Sequence, residues 1–213
     1  MKNIILIAPP AAGKGTQAAL ISEKYNIPHI SIGNLVRKSI SDQKLLDQLN
    51  KGLLLDDKIV CDIVKKRISL EDCKNGFILD GFPRNLNQAK MYENIVSEIN
   101  IDGGIVIVID IDKAEGIRRI EGRLICGNCG AVYNETEPTT IPKINGKCDI
   151  CGSKLEKRYD DNFETFNKRF DTYVKDTVPV IKYYQKTKKV HFVKSINISK
   201  TSNDIDLIIR SEV

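Results

Sequence analysis

The sequence predicts an α/β fold, a doubly wound parallel sheet of five strands with helices on both faces. Residues 4–7 and 105–109 form continuous runs of Ile, Leu and Val. Runs without polar alternation are typical of strands that are buried on both faces of a parallel sheet. Shorter runs at residues 28–31, 77–79 and 190–193 supply three more strands. Each is separated from the next by a polar or helical stretch long enough for a crossover connection, which predicts the double winding.

The predicted helices connect these strands in chain order. They are expected at residues 15–25, 86–98, 113–123 and 163–185. Pro179 is expected to bend or interrupt the last of them, because proline removes a helical hydrogen bond.

Two segments break the alternation of strands and helices and are predicted to be insertions. Residues 31–59 are polar and helical in character, whereas residues 124–161 are rich in Gly, Pro, Thr, Asn and Cys. The core domain is then expected to comprise residues 1–30, 60–123 and 162–213.

Size and charge set limits on function. With 213 residues, of which 41% are hydrophobic, the chain can bury the core of one domain. The net charge of +5 does not select a partner, because the basic residues are scattered along the sequence. The apolar N-terminal run is too short for a secretory signal, and no stretch reaches the roughly 18 apolar residues of a membrane span. We therefore expect a cytoplasmic protein whose six cysteines are reduced or bind a metal and do not form disulfides.

A loop of small residues follows the first strand and leads into a helix. It reads Ala8-Pro9-Pro10-Ala11-Ala12-Gly13-Lys14-Gly15-Thr16-Gln17. A strand, such a loop and a helix N-terminus aim backbone N–H groups at an anion, and a lysine there reaches phosphate oxygens. Ala8 and Gly15 depart from the strict phosphate-loop pattern, so by this pattern alone an ordinary turn remains an alternative.

The loop resembles that of the adenylate kinases, which reads Pro-Pro-x-x-Gly-Lys-Gly-Thr-Gln. Residues 80–84, Asp-Gly-Phe-Pro-Arg, with Gln88 four residues on, are similar to a second signature of that family. Residues 30–34, Ile-Ser-Ile-Gly-Asn, precede Arg37 and are similar to a third. The resemblance implies a nucleoside monophosphate kinase that uses Mg²⁺ with ATP and AMP, with 31–59 as the acceptor-binding insertion, 124–161 as a lid, and a monomeric state.

The resemblance also implies roles for residues at matching positions. It assigns ATP to the loop residues Ala11, Ala12, Gly13, Lys14, Gly15 and Thr16 together with Arg119 and Arg123. It assigns AMP to Ile32, Arg37, Gly81, Arg84, Gln88, Arg158 and Arg169. Lys14, Arg84, Arg119, Arg123, Arg158 and Arg169 are the implied catalytic residues, and Asp160 and Asp161 would help the lid to close.

Phosphoryl transfer explains why arginines recur in these positions. The transferred group spreads negative charge over its oxygens, so catalysis consists mainly of positioning and cationic stabilisation. Guanidinium groups bind phosphate with two parallel hydrogen bonds, which lysine cannot do. Asp80 ends an apolar strand, where a carboxylate can hold Mg²⁺ through water, with a helix cap as the alternative role.

Four cysteines occur as two Cys-x-x-Cys pairs, Cys126 with Cys129 and Cys148 with Cys151. Two such pairs at this separation supply four thiolates for a closed, structural zinc site. Cys61 and Cys73 have no such partners and are expected to be small core residues. His29 and His191 lie in or beside predicted strands, where we expect them to pack.

Three alternatives remain open at this point. Ile32 stands where the family has a threonine near the base, so the acceptor could be another nucleoside monophosphate. Ala8 and Ala11 replace loop glycines, so the chain could bind nucleotide with weakened catalysis. The four cysteines could instead belong to a zinc ribbon that binds nucleic acid, although that segment lacks a basic or aromatic cluster.

Overall fold

A five-stranded parallel sheet forms the centre of the fold. The computed structural model describes residues 2–39, 55–157 and 161–212, without the side chains of Lys2, Arg37 and Lys38. The strands are β1 (Lys2–Ile7), β2 (His29–Ser31), β3 (Gly76–Asp80), β4 (Ile105–Asp110) and β8 (Val190–Lys194). They are ordered β2-β3-β1-β4-β8, and every neighbouring pair is parallel. All carboxyl ends therefore lie along one edge of the sheet, where open α/β sheets bind their ligands.

Helices cover both faces of the sheet. They are α1 (Lys14–Tyr25), α2 (Ile32–Ser39), α3 (Asp57–Ile68), α4 (Leu86–Glu98), α5 (Lys113–Glu121), α6 (Phe163–Thr172), α7 (Val178–Thr187) and α8 (Ile198–Ser211). At four of the helix starts a side-chain oxygen accepts hydrogen bonds from backbone N–H groups of the first turn; these oxygens belong to Asp56, Asn85, Asn162 and Asn197. These caps satisfy N–H groups that have no partner inside a helix.

Alternate residues of the central strands point to opposite faces of the sheet, so the hydrophobic core consists of two clusters, one on each face. On one face Ile5, Leu79 and Val108 pack with side chains of α3, α4 and α7. On the other face Ile4 and Ile107 pack with side chains of α1 and α8. The predicted doubly wound α/β core is confirmed.

A small antiparallel sheet stands apart from the main one. Its strands are β5 (Arg123–Cys126), β6 (Val132–Asn134) and β7 (Leu155–Glu156), in the order β6-β5-β7. Its apolar interior is limited to Leu124, Cys126, Tyr133, Cys148 and Leu155. The predicted lid segment 124–161 thus contains a sheet, which the sequence did not predict.

The predicted helices differ from the observed ones in several places. The helix predicted at 113–123 ends at Glu121, because Arg123 already pairs with Asn134 in the small sheet. The interruption expected near Pro179 in the helix predicted at 163–185 is present, as a π-helical turn at Tyr173–Thr177, and the proline sits in the first turn of α7, where proline is tolerated. Helices α3 and α8 were missed, although Asp56 and Asn197 are regular helix caps.

The remaining expectations have mixed outcomes. Cys61 and Cys73 are buried, as expected. The acceptor-binding insertion falls largely outside the described residues, since only 31–39 and 55–59 of it are described. Within the described ranges, no helix has both the length and the apolar character needed to cross a membrane.

Candidate active site

The loop between β1 and α1 is held in an unusual backbone conformation. Gly13, the residue that caps α1, has φ 76°, and Ala11 has φ 65°. This left-handed region costs an L-residue about 1–2 kcal/mol, whereas glycine adopts it freely. The first turn of α1 contains no acidic residue of its own, so no side chain of the helix neutralises its N–H groups and positive end. The loop is therefore arranged to receive an anion.

Asp80, the last residue of β3, lies beside this loop and is paired with two bases. Its Oδ1 lies 3.2 Å from Lys14 Nζ, and its Oδ2 lies 2.9 Å from His29 Nε2. Burial disfavours the charge of the carboxylate, but Lys14 and His29 outweigh burial and lower the pKa of Asp80 to about 2. Asp80 is therefore ionised at neutral pH. His29 was expected to pack, but it is only half-buried and lines the cavity next to Asp80.

Two cationic side chains, those of Lys14 and Arg84, approach the space beside the Gly81 backbone where a side chain would otherwise lie. Gly81 has φ 83°, and a Cβ built on it would lie 3.5 Å from Lys14 Nζ and 3.3 Å from Arg84 Nη2. Burial lowers the pKa of Lys14, and the nearby Arg84 charge lowers it further, while Asp80 acts in the opposite direction. Two cations this close favour an anionic group between them.

The position of Arg84 is fixed by neighbouring backbone and side chains. Its Nε donates to the Gly81 carbonyl at 3.0 Å, and its own carbonyl accepts from Thr177 Oγ1 at 2.8 Å. Its backbone N–H donates to Gln88 Oε1 at 2.8 Å. Gln88 is only 2% exposed, so this contact is shielded from water.

Arg119 is held by groups from two parts of the chain. Its Nε donates to Glu115 Oε1 at 2.8 Å, one turn earlier in α5. Its Nη1 donates to Ser195 Oγ at 2.7 Å, and that hydroxyl donates to the Ala12 carbonyl at 3.0 Å. Ser195 thus connects Arg119 to the loop after β1.

Arg123 and Arg169 complete the cationic wall. Arg123 Nε donates to Asp161 Oδ2 at 2.5 Å, and its Nη2 contacts the other oxygen of the same carboxylate. Arg169 belongs to α6 and lines the same cavity as Arg119 and Arg123. The pairing of Arg123 with Asp161 joins the start of the small sheet to the segment that leads into α6.

These groups surround one cavity of about 860 Å³. The loop residues, Asp80, Gly81, Arg84 and the three other arginines contribute to its walls, and residues of the small sheet line it as well. The volume falls within the range of small-molecule sites. Its wall combines a helix N-terminus with several cations, which suits a ligand that carries more than one phosphate group.

Two predicted site residues, Ile32 and Gln88, are described but are not among the residues that line the cavity. Arg158 lies outside the described residues, as does the side chain of Arg37. The side chain of Ile32 is described, is 4% exposed and packs in a hydrophobic cluster with Val36 and Leu79. The structure therefore places Ile32 in the core.

The four predicted metal ligands lie together in the small sheet. Their Sγ atoms are all within 4.8 Å of one another, with 3.4 Å between Cys126 and Cys151 and 3.5 Å between Cys129 and Cys148. Four sulfurs at about 2.3 Å from one tetrahedral zinc would lie about 3.8 Å apart. Gly130 and Gly152 follow the pairs with φ near 75° and 72°, which lets each chain turn around the cluster. The donor set and spacing fit zinc.

Comparison with known proteins agrees with this geometry. The family model described as Adenylate kinase matches residues 6–189. Adenylate kinase from Thermosipho africanus is 42% identical over 214 residues, covering 98% of this chain and 99% of the relative. The Clostridium tetani and Clostridioides difficile adenylate kinases are each 44% identical, each over 95% of this chain and over 94% and 96% of the relative.

The chain belongs to the adenylate kinase family. It is a nucleoside monophosphate kinase, a phosphotransferase with a P-loop α/β core. The resemblance first noted in the loop and in residues 80–84 therefore extends over most of the chain.

Sequence reasoning missed several residues that shape the adenylate kinase site. Glu115 and Ser195 hold Arg119, and Thr177 holds Arg84. The spacing of Glu115 and Arg119, four residues apart on a helix, was a readable signal. Ser195 and Thr177 gave none, because they reach the site from distant parts of the chain.

Proposed function

We propose that this protein transfers the γ-phosphoryl group of ATP to AMP and forms two ADP. The observation that carries the proposal is the pair of cations at Gly81, with Lys14 Nζ 3.5 Å and Arg84 Nη2 3.3 Å from one point beside the loop. A group placed there touches the ATP loop and the proposed acceptor side together. The family membership supports the same reaction.

The ATP side comprises the loop and two arginines. Backbone N–H groups of Ala11, Ala12, Gly13, Lys14, Gly15 and Thr16 would bind the β and γ phosphates at the N-terminus of α1. Arg119 and Arg123 would also contact the phosphate chain. Glu115 and Ser195 hold the guanidinium group of Arg119, and Asp161 holds that of Arg123. Because both guanidinium groups are already positioned, little reorganisation would accompany the reaction.

The acceptor side comprises Gly81, Arg84 and Gln88, with Arg37, Arg158 and Arg169 as further phosphate ligands. Gly81 has no Cβ to occupy the space between Lys14 and Arg84, so a phosphate can enter there. Gln88 would read the base. Ile32 is buried in α2, between the cavity residues Ser31 and Gly33. We propose that it influences which base the acceptor site takes.

Asp80 would hold Mg²⁺ through water. Its low pKa keeps it anionic, and as the last residue of β3 it lies 3.2 Å from the loop lysine. When bound, the ion would neutralise charge on the phosphate oxygens. Closing of the lid segment would exclude water, which would otherwise compete with the acceptor.

A structural zinc ion is proposed for Cys126, Cys129, Cys148 and Cys151. Four thiolates leave no open position for water or substrate, so this metal would order the lid and take no part in transfer. The small apolar interior of the lid supports the proposal, because so few residues bury little surface on their own.

A panel of acceptors tests the proposed reaction. ADP formation from ATP would be measured with AMP, GMP, CMP or UMP at equal concentrations. We expect AMP to be used far better than the other three. A preference for any other nucleotide would contradict the assignment of AMP, and formation of ADP without any acceptor would indicate hydrolysis.

The alternative of lost catalysis is not favoured. Ala11 already adopts the left-handed conformation that a glycine would supply, and Gly13 and Lys14 keep the loop geometry. A nucleic-acid-binding zinc ribbon is not favoured either, since residues of the segment that carries the cysteine cluster line the nucleotide-sized cavity.

A further inference from the structure

The carboxylate of Asp57, at the start of α3, accepts three amide hydrogen bonds from α4 and its cap. Asn85 Nδ2 and Gln88 Nε2 each donate to Oδ1 at 2.8 Å, and Asn87 Nδ2 donates to Oδ2 at 2.8 Å. Partial burial would raise the pKa of Asp57, but these three bonds outweigh it and lower the pKa. Asp57 is therefore an ionised acceptor at neutral pH.

The amide of Gln88 is fixed from two sides. Its Nε2 donates to Asp57 Oδ1, and its Oε1 accepts from the backbone N–H of Arg84 at 2.8 Å. An ionised carboxylate can only accept and a backbone N–H can only donate. A flipped amide would face oxygen with oxygen and N–H with N–H, so one orientation alone is satisfied. Gln88 is 2% exposed, which leaves little room for water to compensate.

A fixed amide can read only one order of donor and acceptor on a base. One N–H and one lone pair of the Gln88 amide remain unused by Asp57 and Arg84. Adenine presents an amine donor beside a ring-nitrogen acceptor, and guanine presents a carbonyl acceptor beside a ring N–H donor. A glutamine that can flip matches either base, whereas a glutamine held in one orientation matches one of them.

We propose that Asp57 is a positioning residue that holds the Gln88 amide in one orientation and so makes the acceptor site select adenine over guanine monophosphates. This inference rests on the proposed function, because it takes Gln88 as the residue that reads the base. Selectivity for the base then depends on the contact between Asp57 in α3 and Gln88 in α4.

The test replaces Asp57 by asparagine, which keeps the shape but offers only one acceptor oxygen. In either orientation of the new amide, the charge-assisted bond from Gln88 Nε2 is weakened or lost, so the flipped orientation of Gln88 costs less than in the unaltered protein. A buried group without a partner costs about 1–3 kcal/mol, and 1.4 kcal/mol corresponds to about tenfold. We therefore expect Asp57→Asn to raise KM for AMP about tenfold and the GMP:AMP ratio of kcat/KM about tenfold, with KM for ATP unchanged.

Asp56→Asn is the matched control. Asp56 is exposed and caps α3 by accepting from the backbone N–H groups of Lys58 and Ile59 at 2.9 and 3.2 Å. Asparagine caps helices as well as aspartate does, so this variant removes one charge from the same place and keeps the local structure. We expect its KM values and its GMP:AMP ratio to match those of the unaltered protein.

The GMP:AMP ratio is compared within one preparation, so any unfolded fraction of a variant cancels. An unchanged ratio in Asp57→Asn would overturn the inference, and so would an equal change in Asp56→Asn, which would point to charge instead of the hydrogen bond. If the unaltered protein does not phosphorylate AMP, the proposed function fails and the inference fails with it. If it does and the ratio stays constant, only the inference fails.

Discussion

Replacing Ala11 by glycine tests whether the phosphate loop is strained. Ala11 has φ 65°, in a region that costs an L-residue about 1–2 kcal/mol. Glycine removes that cost but adds about 0.5–1 kcal/mol of chain entropy to the unfolded state. The free energy of unfolding should therefore rise by about 0.5–1 kcal/mol, which for a chain of this length raises Tm by about 1–4 °C.

The same change should affect ATP, because Ala11 lines the cavity where backbone N–H groups would meet phosphate. Without the methyl group, phosphate can approach the loop more closely. We expect KM for ATP to fall by a few-fold or kcat to rise, measured by a coupled ADP assay alongside thermal unfolding.

Asn26→Gly provides the matched control for this experiment. Asn26 has φ 50° and ends α1 at the side opposite the loop. Asparagine tolerates this conformation better than alanine, so Tm should change little and KM for ATP should stay constant. Weaker ATP binding in Ala11→Gly would refute the reasoning and would show that the loop is adapted to alanine.

Three further changes test other parts of the account. Arg84→Ala should lower kcat by about 10²–10³-fold while calorimetry shows ATP binding largely intact, since the loss concerns charge stabilisation during transfer; near-normal turnover would contradict its role. Elemental analysis should find close to one zinc ion per unaltered chain. Cys129→Ser should lower both Tm and the zinc content, while Mg²⁺-dependent transfer persists at low temperature. Metal-free protein of unchanged Tm would contradict the zinc site. Ile32→Thr should reduce the free energy of unfolding by about 1–3 kcal/mol, because Ile32 is buried and a hydroxyl there lacks a partner. A sharper preference for AMP without loss of stability would instead show that this side chain acts on the base.

Much of the fold was readable from the sequence because local patterns carry it. The apolar runs 4–7 and 105–109 form the central strands β1 and β4. They could be predicted because strands covered on both faces are apolar throughout, without polar alternation. The loop between β1 and α1 and the carboxylate of Asp80 were placed correctly at the carboxyl edge of the sheet. The four cysteines were grouped correctly by spacing alone.

The parts that were missed depend on contacts between distant residues. Ser195 meets Arg119 across 76 positions, and Asp57 meets Gln88 across 31. Neither pair follows from a helical or strand period, because tertiary packing brings the residues together. The π-helical turn before Pro179 was missed for a related reason, since the sequence indicates an interruption near the proline without indicating its form.

The reaction proposed for this chain is transfer of a phosphoryl group from ATP to AMP, with water excluded. The most direct measurement follows the reaction of Mg-ATP and AMP by ³¹P NMR until it reaches equilibrium. We expect two ADP for each ATP consumed, no accumulation of inorganic phosphate, and the same equilibrium mixture when the reaction starts from ADP. Release of inorganic phosphate in step with ATP loss, or ATP and AMP that remain unchanged, would contradict it.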